Sequence, residues 1–280
     1  MNILIHAIHY PVCSARYLVD AYRRGGHDVY HIGQETGRSI WGVEVPAEYM
    51  WSQETPPDGW EPDVAILMDT AYQWCHPTAP TIIHTVDNHV RNVRQGGIEH
   101  YFLAHKSVTL TDWGEDCTWL PCGYDRHWFT PSPIAWSDRE FDVCMIGVMY
   151  PKRWELVNAM RAAGLKVMAG SGLVFDAYRD AHHNSRVALV SSFNGDLPIR
   201  LFEGAGMGCA VMSDRIEDLA HLDIGHPISI YSGVEGAVQL ARALQTHPEN
   251  GEMCAEWAKP HTWDARAQVI IDWMEARNDR

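Results

Sequence analysis

Apolar residues along this chain fall into short continuous runs, separated by segments in which they recur at helical spacing. The run at 2–7, Asn-Ile-Leu-Ile-His-Ala, predicts a first strand. Pro11 and Ser14 open a predicted helix that ends at Gly25-Gly26, because glycine accepts the left-handed conformation that closes many helices. Residues 27–32, 63–68, 81–86 and 107–110 read as further strands, and 101–103 as either a strand or part of the element before it. Residues 34–61 hold Gly, Pro and Trp with little periodicity and read as a long irregular insertion. Unbroken apolar runs suit a parallel sheet covered on both faces, whereas a half-exposed sheet would alternate.

The pattern breaks at Leu120-Pro121-Cys122-Gly123-Tyr124-Asp125 and Phe129-Thr130-Pro131-Ser132-Pro133. Proline lacks an amide proton and fixes φ, so this stretch cannot sit in a regular element. It reads as an interdomain linker at 121–135. A second series follows, with strands at 141–146, 165–169, 186–190, 209–212 and 228–231 and helices at 151–163, 173–183, 198–207 and 234–244. Pro151 suits a first helical turn. A last amphipathic helix is expected at 262–276, with Thr262 as its N-cap. The expected fold class is α/β, with two Rossmann-like doubly wound domains facing a cleft, at 1–120 and 136–260. Residues 261–280 form a C-terminal helix able to pack back on the first domain. In such sheets ligands bind outside the carboxyl ends of the strands.

Composition narrows the classes. The 280 residues are 46% apolar and 21% charged, a globular balance, with a net charge of −14. Neither half of the chain is basic, which counts against tight non-specific nucleic-acid binding. No apolar run is long enough to span a bilayer, and the first residues lack the basic start of a signal peptide. A cytoplasmic protein without a membrane anchor is expected. The seven Cys are odd in number and include no Cys-x-x-Cys pair, as expected of free thiols in a reducing compartment. Sixteen His include no His-Glu-x-x-His, and His182-His183 are adjacent, so they point to different faces of a helix. No metal site is expected.

One segment carries more specific information. Gly195-Asp196-Leu197-Pro198-Ile199-Arg200-Leu201-Phe202-Glu203-Gly204-Ala205-Gly206-Met207-Gly208-Cys209-Ala210-Val211-Met212-Ser213-Asp214 resembles the donor-site segment of GT-B glycosyltransferases. There an Arg-x-Phe-Glu run lies on a helix, followed by small residues and a strand ending in Ser/Thr-Asp. The branch it is most similar to is the group-1 type that includes spore-maturation glycosyltransferase-like proteins. Leu120-Pro121-x-Gly123-Tyr124-Asp125 with Phe129-x-Pro131, Ile146-Gly147-x-x-Tyr150-Pro151-x-Arg153, and His261-Thr262-Trp263-x-x-Arg266-Ala267 resemble that branch's linker, first C-domain strand and loop, and terminal helix. The resemblance covers 120–270, and the N-terminal domain matches in pattern alone. It implies a nucleotide-sugar donor, transfer to a hydroxyl acceptor, and a Glu that holds the donor ribose, here Glu203. A carboxylate can accept two hydrogen bonds from a vicinal diol. The alternative is an exposed Arg200–Glu203 ion pair at i,i+3. One turn into its helix, Glu203 need not carry core packing.

The remaining donor-side candidates are Arg200 and Arg153, whose guanidinium groups match phosphate geometry, with Gly147, Tyr150, Ser191 and Asn194. The loop at 191–195 and the helix start at Pro198 offer amide protons and a favourable dipole. The plainer alternatives are a solvated helix residue for Arg153, turn formers for Ser191 and Asn194, and a simple turn at Gly147. No Asp-x-Asp occurs, which agrees with a diphosphate held by fixed cations rather than by Mg²⁺ or Mn²⁺. No cofactor is expected. On the acceptor side, Asp87 and His9 are candidate bases, with His89 and Arg91 beside them. An N-cap for Asp87 and a packed loop residue for His9 are the alternatives, and a retaining enzyme would need neither. Trp41, Trp51, Trp60 and Trp74 could form an aromatic platform, although packing accounts for most of them equally well. The acceptor stays open among a small molecule, a glycan and, as in some bacteriophage enzymes, a modified (hydroxymethylated) DNA base. A nucleotide-sugar 2-epimerase and a non-catalytic sugar-nucleotide-binding module are the competing functions.

Overall fold

The computed structural model describes residues 1–35, 39–40, 43–68, 74–86, 94–106 and 116–278. The chain divides into two compact units. The first gathers Met1–Ile40, Glu44–Cys122 and Trp263–Arg280, and the second is built on Gly123–Thr262.

The first unit holds a six-stranded sheet formed by β1 (Asn2–Ala7), β2 (Asp28–Ile32), β5 (Val64–Met68), β6 (Thr81–Thr85), β7 (His100–Leu103) and β8 (Cys117–Trp119), in the order β2-β1-β5-β6-β7-β8. Every pairing is parallel. β5, β6 and β7 are buried along their whole length; β5 is accordingly a continuous apolar run, while β6 and β7 also bury Thr81, His84, Thr85 and His100. Ile3, Ile5, Ile66, Ile82 and Phe102 have essentially no exposed surface. α1 (Ser14–Arg24) buries Tyr17, Leu18 and Tyr22 and ends at Gly25, with Gly26 at φ +83°. It packs against α8 (Trp263–Asn278), and Arg24 Nε donates to Asp264 at 2.8 Å. Arg266 of α8 is buried and donates to the carbonyls of Pro121 and Cys122, which ties the last helix to the chain leaving this sheet.

One reading of this half changes, and one left open between two alternatives is resolved in favour of a strand. The irregular insertion contains a small sheet of β3 (Ser39–Ile40) and β4 (Val43–Glu44) and a 3-10 turn at Ala47–Tyr49. Residues 101–103 belong to a strand of their own, β7. The strand read at 107–110 lies outside the described residues.

The second unit holds a five-stranded parallel sheet in the order β10-β9-β11-β12-β13, from β9 (Phe141–Ile146), β10 (Val167–Gly170), β11 (Ser185–Val190), β12 (Ala210–Ser213) and β13 (Ser229–Ile230). Its core joins Val143, Val187 and Met212 of the sheet to Val157, Met160, Ala237 and Ala241 of the helices. Those last four come from α2 (Pro151–Ala162) and α6 (Gly233–Leu244); the other helices are α3 (Phe175–His183), α4 (Ile199–Gly206), α5 (Glu217–Leu222) and α7 (Pro248–Ala258). Sequence patterning does not reveal α5 or α7. α7 opens His-Pro-Glu-Asn-Gly, which reads as a turn, yet Gly251 is helical. A Cβ there would lie 2.6 Å from the Trp136 ring and 2.7 Å from the Gly208 carbonyl, so close packing, not turn geometry, explains the glycine.

Among the described residues no helix is long and apolar enough to cross a membrane. None of the seven cysteines forms a disulfide.

Candidate functional site

In the second sheet β9 has β10 on one side and β11 on the other. The connections diverge at this point, and in doubly wound sheets ligands bind at the carboxyl ends of the two strands that flank it. Here those ends lead into Gly147 and Ser191.

The two loops are fastened by Arg153. It lies in the first turn of α2 and is buried, with Nη1 donating to Val148 O at 2.7 Å and Nη2 to Ser191 O at 2.6 Å. Burial, and then the nearby Arg200 cation, lower its pKa. The solvated alternative for Arg153 is therefore overturned: its donors hold backbone carbonyls, and its charge adds to that of Arg200. A second fastening joins the ends of β11 and β12. Asp214 accepts from Ser192 N at 2.8 Å, from Ser192 Oγ at 2.9 Å and from Lys152 Nζ at 2.8 Å.

Gly147 has φ +140°, and a Cβ there would stand 3.3 Å from Arg200 Nη1 and 3.4 Å from its Cζ. The Arg200 guanidinium thus lies against bare backbone, a close approach that glycine permits. Among the described residues this guanidinium makes no hydrogen bond or ion pair. The 191–195 loop turns through Asn194 at φ +55° and Gly195 at φ +78°. Ser191 is buried and Asn194 exposed. Tyr150 is exposed and stacks on Phe193, with ring centroids 5.2 Å apart, and the Arg153 guanidinium lies 5.2 Å from the Tyr150 ring. Sequence reasoning passed over Phe193 and Lys152.

Glu203 differs most from its sequence reading. It is buried, 6% exposed, and accepts a hydrogen bond from the Tyr178 hydroxyl at 2.7 Å. It forms no ion pair with Arg200, so the exposed i,i+3 pair is not what the structure holds. The expectation that this position carries no packing is also wrong. α4 buries every residue from Leu201 to Gly206. Burial pushes the Glu203 carboxyl up to about 7, against the opposing pull of the Tyr178 hydrogen bond and the Arg200 charge. The Tyr178 phenol is pushed well above its ordinary value by burial and by Glu203. Tyr178 was missed because nothing in its local pattern distinguishes it from the other buried aromatics of α3.

The acceptor-side candidates fare differently. Asp87, His89 and Arg91 lie outside the described residues. His9 follows β1 in the first unit. It is buried, its Nε2 is 2.8 Å from His31 Nδ1, and its ring packs 4.4 Å from that of Trp51. Burial lowers the pKa of His9, and holds that of His31 down to about 4. Held in this way, His9 matches the packed-residue alternative. Of the tryptophans, Trp74 stacks on His6 at 4.9 Å, Trp51 on His31 at 4.5 Å, and Trp60 meets Tyr30 edge-on at 4.9 Å. Trp41 lies outside the described residues. Among the described residues no three His, Cys, Asp or Glu side chains are grouped to hold a metal.

Residues 128–272 match the family model described as glycosyl transferase-like. No curated protein matches by sequence. Similar solved structures include AviGT4, a glycosyltransferase involved in avilamycin A biosynthesis, with 14% identity, 97% of each chain covered and a TM-score of 0.67. A glycosyltransferase from Rickettsia africae gives 9% identity, 98% coverage of each chain and a TM-score of 0.66. Anabaena HepE, solved in complex with UDP, gives 10%, with 99% of this chain and 100% of that one covered and a TM-score of 0.63. Two parallel sheets with flanking helices, shared with these structures over almost the whole chain, make this the GT-B type of α/β fold.

Proposed function

We propose, from the premise that this chain belongs to the glycosyl transferase-like family, that it transfers a sugar from a nucleotide-sugar donor to a hydroxyl acceptor without a metal ion. The observation that carries this reading is the grouping of a buried carboxylate, Glu203, with the Arg200 guanidinium, which has no hydrogen-bond or ion-pair partner among the described residues, beside the bare backbone of Gly147. A carboxylate suits a ribose diol, and an unpaired cation suits a diphosphate. Ser191, Asn194 and the amide protons at the start of α4 line the phosphate side, Arg153 holds the two loops at the spacing this requires, and Tyr150 borders the donor. Asp87 is the proposed base for an inverting transfer, and His89 and Arg91 would face the acceptor. The motifs at 120–270 support the branch that includes the spore-maturation glycosyltransferase-like proteins. UDP in the Anabaena relative makes uridine diphosphate sugars the first donors to test. Cysteines without disulfides suit the reducing cytoplasm.

As the departing diphosphate gains charge, it meets a fixed cation instead of a bound ion. The geometry stabilises the leaving group by preorganised electrostatics. Turnover of a nucleotide sugar should therefore survive EDTA. Loss of all turnover in EDTA, restored by Mg²⁺ or Mn²⁺, would refute the metal-free scheme.

Glu203→Ala should weaken nucleoside diphosphate binding by about 10- to 100-fold, or ~1.4–2.8 kcal/mol. Glu203→Gln should lose less, since an amide keeps one acceptor. Calorimetry of both variants checks this, with circular dichroism as a control because the side chain is buried. Affinities equal to wild type in both would remove Glu203 from the donor site.

A further inference from the structure

We propose that Tyr178 is a positioning residue for the donor: it holds one oxygen of Glu203 and leaves the other for the ribose, and it keeps this buried carboxyl closer to its ionised form than burial alone would. The inference rests on the ribose-binding reading of Glu203.

The geometry is simple. Tyr178 lies on α3 and Glu203 on α4, and their hydrogen bond at 2.7 Å is buried. Phe129 packs edge-on against the Tyr178 ring with centroids 5.6 Å apart, and the tilted ring of His182 lies 4.4 Å from it. The phenol therefore has little freedom, and it commits Glu203 Oε2. A carboxylate so fixed presents Oε1 in one direction, which is what recognition of a diol requires.

The charge follows from the surroundings. The groups that act on Glu203 are Tyr178 from α3 and Arg200 from its own helix. His182 on α3 is held down to about 4 by burial and is neutral near pH 7. Beneath α4, the Cβ of Ala188 and the side chain of Val211 face Gly204 and carry no charge. Desolvation thus outweighs one hydrogen bond and one cation and pushes the Glu203 carboxyl up to about 7. A diol donates two protons to hydrogen bonds and prefers the carboxylate. Binding therefore draws Glu203 to its ionised form, and the proton leaves to the buffer.

The sign is fixed by linkage. Below the midpoint the apparent affinity should fall by about tenfold per pH unit, and above it the affinity should level off. The Tyr178 hydrogen bond favours the carboxylate, so Tyr178→Phe should move the midpoint upward. Glu203→Gln should abolish the dependence.

The test uses the whole chain with three probes, UDP-glucose, GDP-mannose and dTDP-glucose, whose phosphates carry no group that titrates between pH 5.5 and 8.5, as an approximate window for two diester-type phosphates. Calorimetry in two buffers of different ionisation enthalpy counts the protons released. Wild type should release close to one proton at about pH 6 and almost none above about pH 8. Glu203→Gln should release none at either. Tyr178→Phe should bind about 3- to 10-fold more weakly at neutral pH and release its proton over a higher pH range. The carboxyl ¹³C shift of Glu203 in the free protein gives the midpoint independently and should rise in Tyr178→Phe. Wild-type binding that is flat with pH, while Glu203→Ala still loses affinity, would overturn this inference and leave the donor reading standing. An unmoved midpoint in folded Tyr178→Phe would also overturn it. If no probe binds, or Glu203→Ala binds like wild type, the donor reading fails and the inference fails with it.

Discussion

Arg200→Ala should lose roughly 10²–10³-fold in kcat/KM for the nucleotide-sugar donor while the fold is kept, an effect of about 3–4 kcal/mol if two charge-assisted hydrogen bonds to phosphate are removed. The fold should survive because, among the described residues, the guanidinium holds no hydrogen bond or ion pair that packing would miss. Its removal should also lighten the mutual repulsion with Arg153. Arg200→Lys should recover only part of the loss, since an ammonium keeps the charge but not the two-pronged geometry. The split between parameters is informative. If Arg200 grips the diphosphate equally in ground and transition states, KM carries the loss. If it acts on charge developing on the leaving group, kcat does. Steady-state kinetics on the donor, with nucleoside diphosphate calorimetry beside it, read both. Unchanged kcat/KM in Arg200→Ala would mean that the Arg200 cation serves something other than the donor.

The second large effect concerns stability. Gly206→Ala should destabilise the second unit by about 3 kcal/mol, the upper end for overpacking a tight interior, and lower the melting temperature by roughly 5–10 °C. A Cβ at Gly206 would lie 2.3 Å from Cε2 and 2.7 Å from Cδ2 and Cζ of the Tyr124 ring. That ring has no easy escape. Tyr124 is buried, and its backbone amide donates to His261 O at 3.0 Å while its strand bridge pairs it with Thr262. Replacing the ring in the double variant Tyr124→Leu/Gly206→Ala should make the glycine substitution much milder, since the two sites share one contact. Thermal unfolding of the two single variants and the double variant completes the cycle. Equal melting temperatures for wild type and Gly206→Ala would show that α4 shifts freely, and that the small residue is not needed for close packing.

The same contact explains why parts of the sequence were legible. Arg-x-Phe-Glu-Gly-Ala-Gly combines a helix with small residues, and the small residues admit close neighbours: Gly204 faces Ala188 with a would-be Cβ distance of 2.8 Å, and Gly206 faces Tyr124. The linker tyrosine and the helix glycine, distant in sequence, are two sides of one contact. The terminal His-Thr-Trp-x-x-Arg pattern has a similar basis. Thr262 bridges Tyr124, Trp263 is fully buried, and Arg266 caps the carbonyls of Pro121 and Cys122.

By itself the sequence determined the parallel α/β class and most of the elements of both series, because strands buried on both faces are largely apolar at successive positions and glycine or proline often stands where helices end or begin. It also determined that Arg200 and Glu203 share one helix a turn apart. Only the tertiary structure decided their states. Arg153 turned from a surface cation into a clamp because the loops after β9 and β11 converge on it. His9 turned inward because β2 brings His31 within 2.8 Å. Glu203 became a buried acid because α3, joined to α4 only through β11 and its loop, delivers the Tyr178 hydroxyl to its carboxyl. Periodicity records which way a side chain faces along its own element. Desolvation and hydrogen bonding depend on what other elements bring to that face, and these set the charge a carboxyl carries.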